Sequence, residues 1–374
     1  MCIRDSISPL LSFQFQGSIR SHRLRINWLN DADNGQRERR DLNTSGGVRM
    51  RISTKGLKSL LLFNYMKEDQ KYLRAADAPS SPYSGSNILT APDNVFSMAT
   101  LSWYTGWRFL PSDSLYFYAT MQRFRYDTPD PDNFDDRDEL RMRIMLQEIH
   151  HFSPQLSMRL LLSTHFIHFV YIYGQRSADN NWNRILRFAP ALIWQPSHAF
   201  RFSQTAEVLA NYVDYDYEAE FLNTRSFLYR KFQMEDSTQI HLTSRLQINL
   251  LYRLELDENG KFLWNQWVEQ RLTDRQSHTL SVSLDYQPVD HLHIVPGIEL
   301  FDRKGYRYTP ATADNDKYEQ GLFNHFRSSG PFLRIRYLTN RIRLLLAAST
   351  IATRTLQISK KLLTRIDLKA CWLF

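Results

Sequence analysis

The segment QIHLTSRLQINLLYRLEL, residues 239–256, repeats with a period of two. Ile240, Leu242, Leu246, Ile248, Leu250 and Tyr252 share one parity, and His241, Thr243, Arg245, Gln247, Asn249 and Arg253 share the other. Successive side chains of an extended chain point to opposite sides, so this segment has one apolar face and one wet face. Such a pattern asks for a β-sheet between two different surroundings.

The split recurs along the chain. In ELRMRIMLQEI, Leu140, Met142, Ile144 and Leu146 oppose Glu139, Arg141, Arg143 and Gln147. In FLRIRYLTNRIRLLLA, Leu333, Ile335, Tyr337, Ile342, Leu344 and Leu346 oppose Arg334, Arg336, Arg341 and Arg343. The stretch from Leu156 to Gly174, LSMRLLLSTHFIHFVYIYG, is nearly apolar enough for a membrane helix, yet it carries Arg159, His165 and His168. Charged groups are costly in a lipid-facing helix, and its Phe, Ile, Val, Tyr and Thr favour an extended chain. As a strand it places Leu156, Met158, Leu160, Leu162, Thr164 and Phe166 toward lipid, and Ser157, Arg159, Ser163 and His165 inward. His168, Tyr171 and Tyr173 then form an amphipathic belt where the wall leaves the hydrocarbon.

The connections alternate in length. Short turns rich in Pro, Ser, Asp or Asn are read at 111–114 (PSDS), 151–155 (HFSPQ), 195–199 (QPSHA), 234–238 (MEDST), 287–291 (QPVDH) and 338–340 (LTN). Longer polar links start at Tyr126, Gly174, Asp214 and Asp302, the last running to Phe326. In a meander this puts tight turns at one end and long links at the other, the asymmetry of an antiparallel transmembrane β-barrel with short periplasmic turns and long extracellular loops. Strands of a soluble sandwich are usually about five or six residues long, whereas several arms here reach the roughly nine to eleven needed to cross a bilayer at a tilt. About eight hairpins, the first two being SFQFQGSIRSHRLRINWLN and GGVRMRISTKGLKSLLLFNYM, predict on the order of sixteen strands. A 43% hydrophobic content is compatible with this, because a barrel wall faces lipid with only every second residue.

The long alternating strands, the turns QPSHA and QPVDH, and aromatic strand ends such as FVYIYG resemble the outer-membrane β-barrel proteins of Gram-negative bacteria, over roughly 12–350. The resemblance implies residence in the outer membrane, with membrane lipid and lipopolysaccharide as neighbours. Its members include porins, specific channels, secretion and assembly components, and a few enzymes. The barrel is expected over 11–350, with 351–374 as an irregular tail or incomplete last strand. Residues 1–10 are expected to be artefactual or disordered: MCIRDS resembles a translated sequencing adaptor, which would make the chain a fragment without its true start and without a visible export signal.

Charge and motifs exclude several classes. The net charge of +8 comes with 39 acidic residues and no basic block, which argues against nucleic acid. Cys2 and Cys371 have no metal-site spacing. His150, His151, His165, His168, His291 and His293 lack recognised ligand spacing, so no metal and no cofactor is expected. Ser163 and His165 lie too far apart along a strand for a base and its nucleophile, and there is no GxSxG, P-loop, dinucleotide or HExxH motif, so no enzymatic activity is expected. The acidic loop PDPDNFDDRDE lacks the EF-hand pattern.

What remains is the inward parity. Arg141, Arg143, Arg159, Arg201, Arg245, Arg334, Arg336, Arg341 and Arg343 are its candidate lumen-facing groups. Two readings are open: a positive ladder drawing small anionic solutes through a wet passage, or cations that brace the interior against acids such as Glu139 and Glu207. The first makes the chain an outer-membrane channel for passive passage. The alternative is a structural or secretion-related barrel acting with a periplasmic or surface protein partner, with no transport of its own.

Overall fold

The computed structural model describes residues 2–8, 10–30, 33–74, 93–128, 133–218, 225–263, 267–312, 315–339, 342–355 and 361–372. Among them are seventeen strands and a single 3-10 turn, Gly174–Asp179. The strands are β1 (Cys2–Ser8), β2 (Leu11–Asn30), β3 (Asp33–Ser53), β4 (Leu57–Arg74), β5 (Asn94–Leu110), β6 (Asp113–Asp127), β7 (Arg137–Ser153), β8 (Leu156–Tyr171) and β9 (Asn181–Ser197). They continue as β10 (Phe200–Tyr215), β11 (Phe227–Thr243), β12 (Leu246–Leu263), β13 (Val268–Val289), β14 (Leu292–Thr312), β15 (Asn315–Leu338), β16 (Ile342–Thr355) and β17 (Lys361–Trp372). No helix among the described residues is long and apolar enough to cross a membrane, and Leu156–Tyr171 is strand, as its composition predicts. Contacts divide the chain into two compact units: Met1–Leu146 with Ser163–Arg184 and Val213–Arg225, and Gln147–Leu162 with Ile185–Tyr212 and Ser226–Phe374.

In the first unit β1 to β6 pair antiparallel in chain order. One register row reads Phe15, Val48, Phe63, Leu101, Met121, and the next reads Gln16, Gly47, Asn64, Thr100, Gln122. A one-residue step along any strand therefore exchanges an apolar surface for a polar one. Phe63, Leu101 and Met121 are all exposed, so the apolar face has no protein layer over it. Gly47 is required where it stands: a Cβ there would collide with the Asn64 side chain and lie 2.8 Å from the Phe63 carbonyl oxygen.

The second unit repeats the arrangement with β11 to β17. Its apolar face carries the row Leu250, Val282, Ile298, Pro331, and its polar face the row Gln239, Asn249, Ser283, Gly297, Phe332. On β12 the apolar band runs from Leu246 to Leu256, matching the roughly nine to eleven residues of a bilayer crossing. Beyond it the same face turns charged on β12 and β13, with Glu258 opposite Asp274, and on β14 to β16 the change comes earlier, at the row of Asp302 in register with His278 and Leu254.

Three expectations about the connections are corrected. Residues 302–312 and 315–326, read as a long link, are strand, paired from Asp302↔Arg327 to Thr309↔Glu319. At 302–308 charged and polar residues occupy both parities, so the ladder continues without the alternation that marks it in sequence. The turn expected at 234–238 lies inside β11: Met234 pairs with Leu254 and Glu235 with Arg253, whose guanidinium binds the Glu235 carboxylate. The chain reverses instead between Thr243 and Leu246, inside the segment whose alternation looked unbroken. SFQFQGSIRSHRLRINWLN is one arm and not a hairpin, because Leu11–Asn30 pairs with β3 along its whole length. At the far end 361–372 is β17, in register with β16 from Ile342↔Trp372 to Thr353↔Lys361, so of an irregular tail and a last strand it is a strand that these residues form.

Val282→Arg should reduce the yield of folded, heat-modifiable protein in membranes far more than Ser281→Arg, since the former places a guanidinium mid-band at a cost of roughly 2 to 4 kcal/mol. Band-shift on unboiled gels reads the two yields. Equal losses would show that the faces are assigned wrongly.

Candidate functional site

The polar face of the second unit encloses a cavity of about 510 Å³. Gln239, Gln247, Asn249, Ser281 and Ser283 contribute amides and hydroxyls, because alternate positions on three paired strands all point to this side. At its edge Arg336 donates from Nη2 to Asp285 at 2.7 Å, and His293 Nδ1 lies 2.8 Å from the other Asp285 oxygen. The register pairing of His293 with Arg336 brings the imidazole and the guanidinium to one carboxylate. Beside them Arg334 stacks over Phe332, 4.5 Å from guanidinium carbon to ring centroid.

In the first unit the Glu139 carboxylate is almost wholly buried and is held by Arg137 at 2.8 Å and by Arg141. A carboxylate so placed is tolerable only when paired.

A second cluster in that unit joins the connections that follow β6, β8 and β10. Asp179, in the 3-10 turn, accepts from Arg225 and from Arg176, each at 2.9 Å. Arg176 also binds Asp135 at 2.5 Å and lies over the Tyr171 ring, while Arg225 lies over Tyr215 at 4.1 Å. His168 stacks on Trp182 at 4.1 Å and meets Asp216 at 3.0 Å. The two guanidinium groups, Arg225 first and Arg176 second, hold the Asp179 carboxyl below the usual carboxylate range.

The predicted arginines divide into distinct settings. Arg141 and Arg336 are neutralised by acids, Arg334 is stacked, and Arg245 lies in the turn before β12 with Nη1 donating to the Pro288 carbonyl at 3.1 Å. Arg143, Arg159, Arg201 and Arg343 are exposed, and Arg341 lies outside the described residues. Glu207, named in sequence as a bracing acid, pairs with Arg187 at 2.5 Å. Asp285, Asp179, Trp182 and Arg225 were not legible as site residues, since each acquires its role only from strands or links distant in sequence. Among the described residues no group of three or more His, Cys, Asp or Glu side chains converges as a metal site. What these clusters offer chemically is a surface of hydrogen-bond donors and acceptors, stacked rings and partly compensated charge.

No protein-family model and no curated protein matches the chain. Among solved structures, the fold matches the closed form of the ferric-catecholate import receptor Fiu of E. coli K12, with a TM-score of 0.50 and 10% identity over 95% of this chain and 62% of that one. It also matches the FpvAI–pyocin S2 complex, with a TM-score of 0.50 and 9% identity over 97% and 60%. The chain spans about three fifths of the length of these proteins. At such identity the likeness establishes the fold, an antiparallel transmembrane β-barrel class, in keeping with the expected sixteen or so strands. It also corrects one expectation. The fold matched is that of an import receptor for a particular iron chelate, and a passive channel for small anionic solutes does not stand.

Because the folded Asp179 carboxyl titrates below its unfolded value near 3.9, its contribution to the link cluster is present above that value and is lost as pH falls through the lower, folded one. Asp179→Asn should remove that contribution at neutral pH as well, so trypsin should cut after Arg176 and Arg225 several-fold faster than in the parent chain. An unchanged cleavage rate at both sites would show that Asp179 does not hold these links.

Proposed function

We propose that this chain is the barrel of an outer-membrane receptor of the TonB-dependent kind, which recognises a bulky anionic metal chelate and acts with a periplasmic protein partner. The observation that carries the reading is the fold match over 95% of the chain to an import receptor of which it spans 62%. Residence in the outer membrane follows from the same match, which favours the partner-dependent alternative over the passive one; the present reading keeps that alternative's partner and drops its lack of transport.

The link cluster supports a ligand of this chemistry. Trp182, Tyr171 and Tyr215 are flat rings each faced by a guanidinium group, Arg184, Arg176 and Arg225 in turn, so an aromatic, negatively charged chelate would meet aromatic edges and cations together. The polar face of the second unit offers the amides and hydroxyls of Gln239, Asn249 and Ser283 and a neutralised Arg336, which suit transient contacts with a large polar solute.

Membranes carrying the protein should bind an iron-loaded catecholate saturably and the iron-free catecholate weakly, as radio-iron retention on washed membranes would read. Trp182→Ala should weaken binding roughly three- to tenfold, the scale of one lost aromatic contact. Binding that never saturates, or that is equal with and without iron, would sink the receptor reading, as would a steady ion current across planar bilayers at the level of an open pore.

A further inference from the structure

Where the apolar band of the second unit ends, one register row crosses β12 to β16 as Leu254, His278, Asp302, Arg327, Arg354. The row just inside the band reads Tyr252, Leu280, Leu300, Ser329, Ala352, and the row just outside carries Gln276, Lys304 and His325. One cross-strand pair of like charges therefore stands at the band's edge, Arg327 opposite Arg354, with Lys304 opposite the His325 imidazole in the next row. Like charges directly opposite in a sheet repel unless an anion lies between them. Asp302 offsets part of this charge, meeting His325 at 2.8 Å and accepting from Arg327 at 2.9 Å. The Arg354 side chain is exposed.

Part of these rows lines a crevice of about 710 Å³ whose one side is Leu280, Leu300 and Ala352 and whose other side is His278, Asp302, Arg327 and Arg354, so that the Asp302 carboxylate offsets one of its two guanidinium groups. We propose that this crevice seats the phosphate of a bilayer lipid, with the two arginines on the phosphate and the acyl chain along the apolar row beneath, a reading that rests on this face being the lipid-facing side of a transmembrane barrel. Free phosphate would use the arginines but gain nothing from Leu280 and Leu300. A phosphorylated lipid uses both halves of the crevice, because the change from apolar to cationic occurs within one row of the sheet, as it does at the boundary between acyl chains and headgroups. Arginine forks match phosphate oxygens geometrically, which a lysine at 327 or 354 would do less well.

The test is native mass spectrometry of the full chain released from detergent micelles, titrated with dioleoyl phosphatidic acid, dioleoyl phosphatidylcholine or inorganic phosphate. The parent chain should retain phosphatidic acid about tenfold more tightly than phosphatidylcholine, and Arg354→Gln should erase most of that preference. Lys369→Gln, a cation removed from the opposite face of β17, should leave it unchanged. A folded chain with no preference between the two lipids, or with equal effects of the two substitutions, overturns the proposal. Inorganic phosphate that binds as tightly as phosphatidic acid overturns the lipid assignment and makes the site one for a free anion. Circular dichroism and unboiled gel mobility of the same samples separate these outcomes from failure of the barrel reading, which would show as lost β-structure. If Arg354→Gln does not fold, Arg354→Lys replaces it and should retain part of the preference; full loss with Lys overturns the role of charge at this position.

Discussion

Everything in this chain depends on the backbone ladder. In hydrocarbon no water is at hand to satisfy a peptide group, and an unpaired N–H or C=O costs several kcal/mol. The strands answer by pairing residue for residue, as β2 does with β3 from Leu11↔Ile52 to Asn30↔Asp33 and β16 with β17 from Ile342↔Trp372 to Thr353↔Lys361. Few of the described residues are fully buried, and the apolar side chains of Val282, Ile298 and Leu101 remain exposed. A fold with so thin a core is held by its ladder and by the medium that covers its apolar face.

Once the ladder is set, parity distributes the chemistry. One face collects Leu, Val, Ile and aromatic residues, and the other collects amides, hydroxyls and charge. Charge on the polar face is not left as a ladder of one sign. Glu139 lies between Arg137 and Arg141, Asp285 between Arg336 and His293, and Glu235 against Arg253. Each pairing restrains long side chains and reduces the field that an arginine row would otherwise project. A binding surface profits from that restraint, whereas an anion conduit would lose its driving potential by it.

Past the apolar band the rules change again. Both faces of β14 and β15 are wet from Asp302 onward, so their side chains are chosen for cross-strand pairs such as Asp302 with His325 and Arg327, and Tyr308 with Asp274. The connections after β6, β8 and β10 are likewise tied by Asp179, Arg176 and Arg225. The receptor reading rests on such ordered groups outside the band, and the lipid site on the row where the band stops.

The sequence by itself determined the strands that cross the band, their two faces, and most of the tight turns, because period-two alternation is a local property that any environment with one dry and one wet side imposes. It offered the bracing role of Glu139 as one of two open readings, and the structure brings Arg137 and Arg141 to that carboxylate. It left β17 open between a tail and a strand, and it did not reveal the wet halves of β14 and β15 or the reversal at Ser244–Arg245: there, either both faces have the same surroundings or the alternation passes unbroken through a turn. Nor could it join Asp285 to Arg336, Asp179 to Arg225, or Arg327 to Arg354. Those meetings are fixed by register between strands and by the docking of links far apart in the chain, which only the tertiary structure decides.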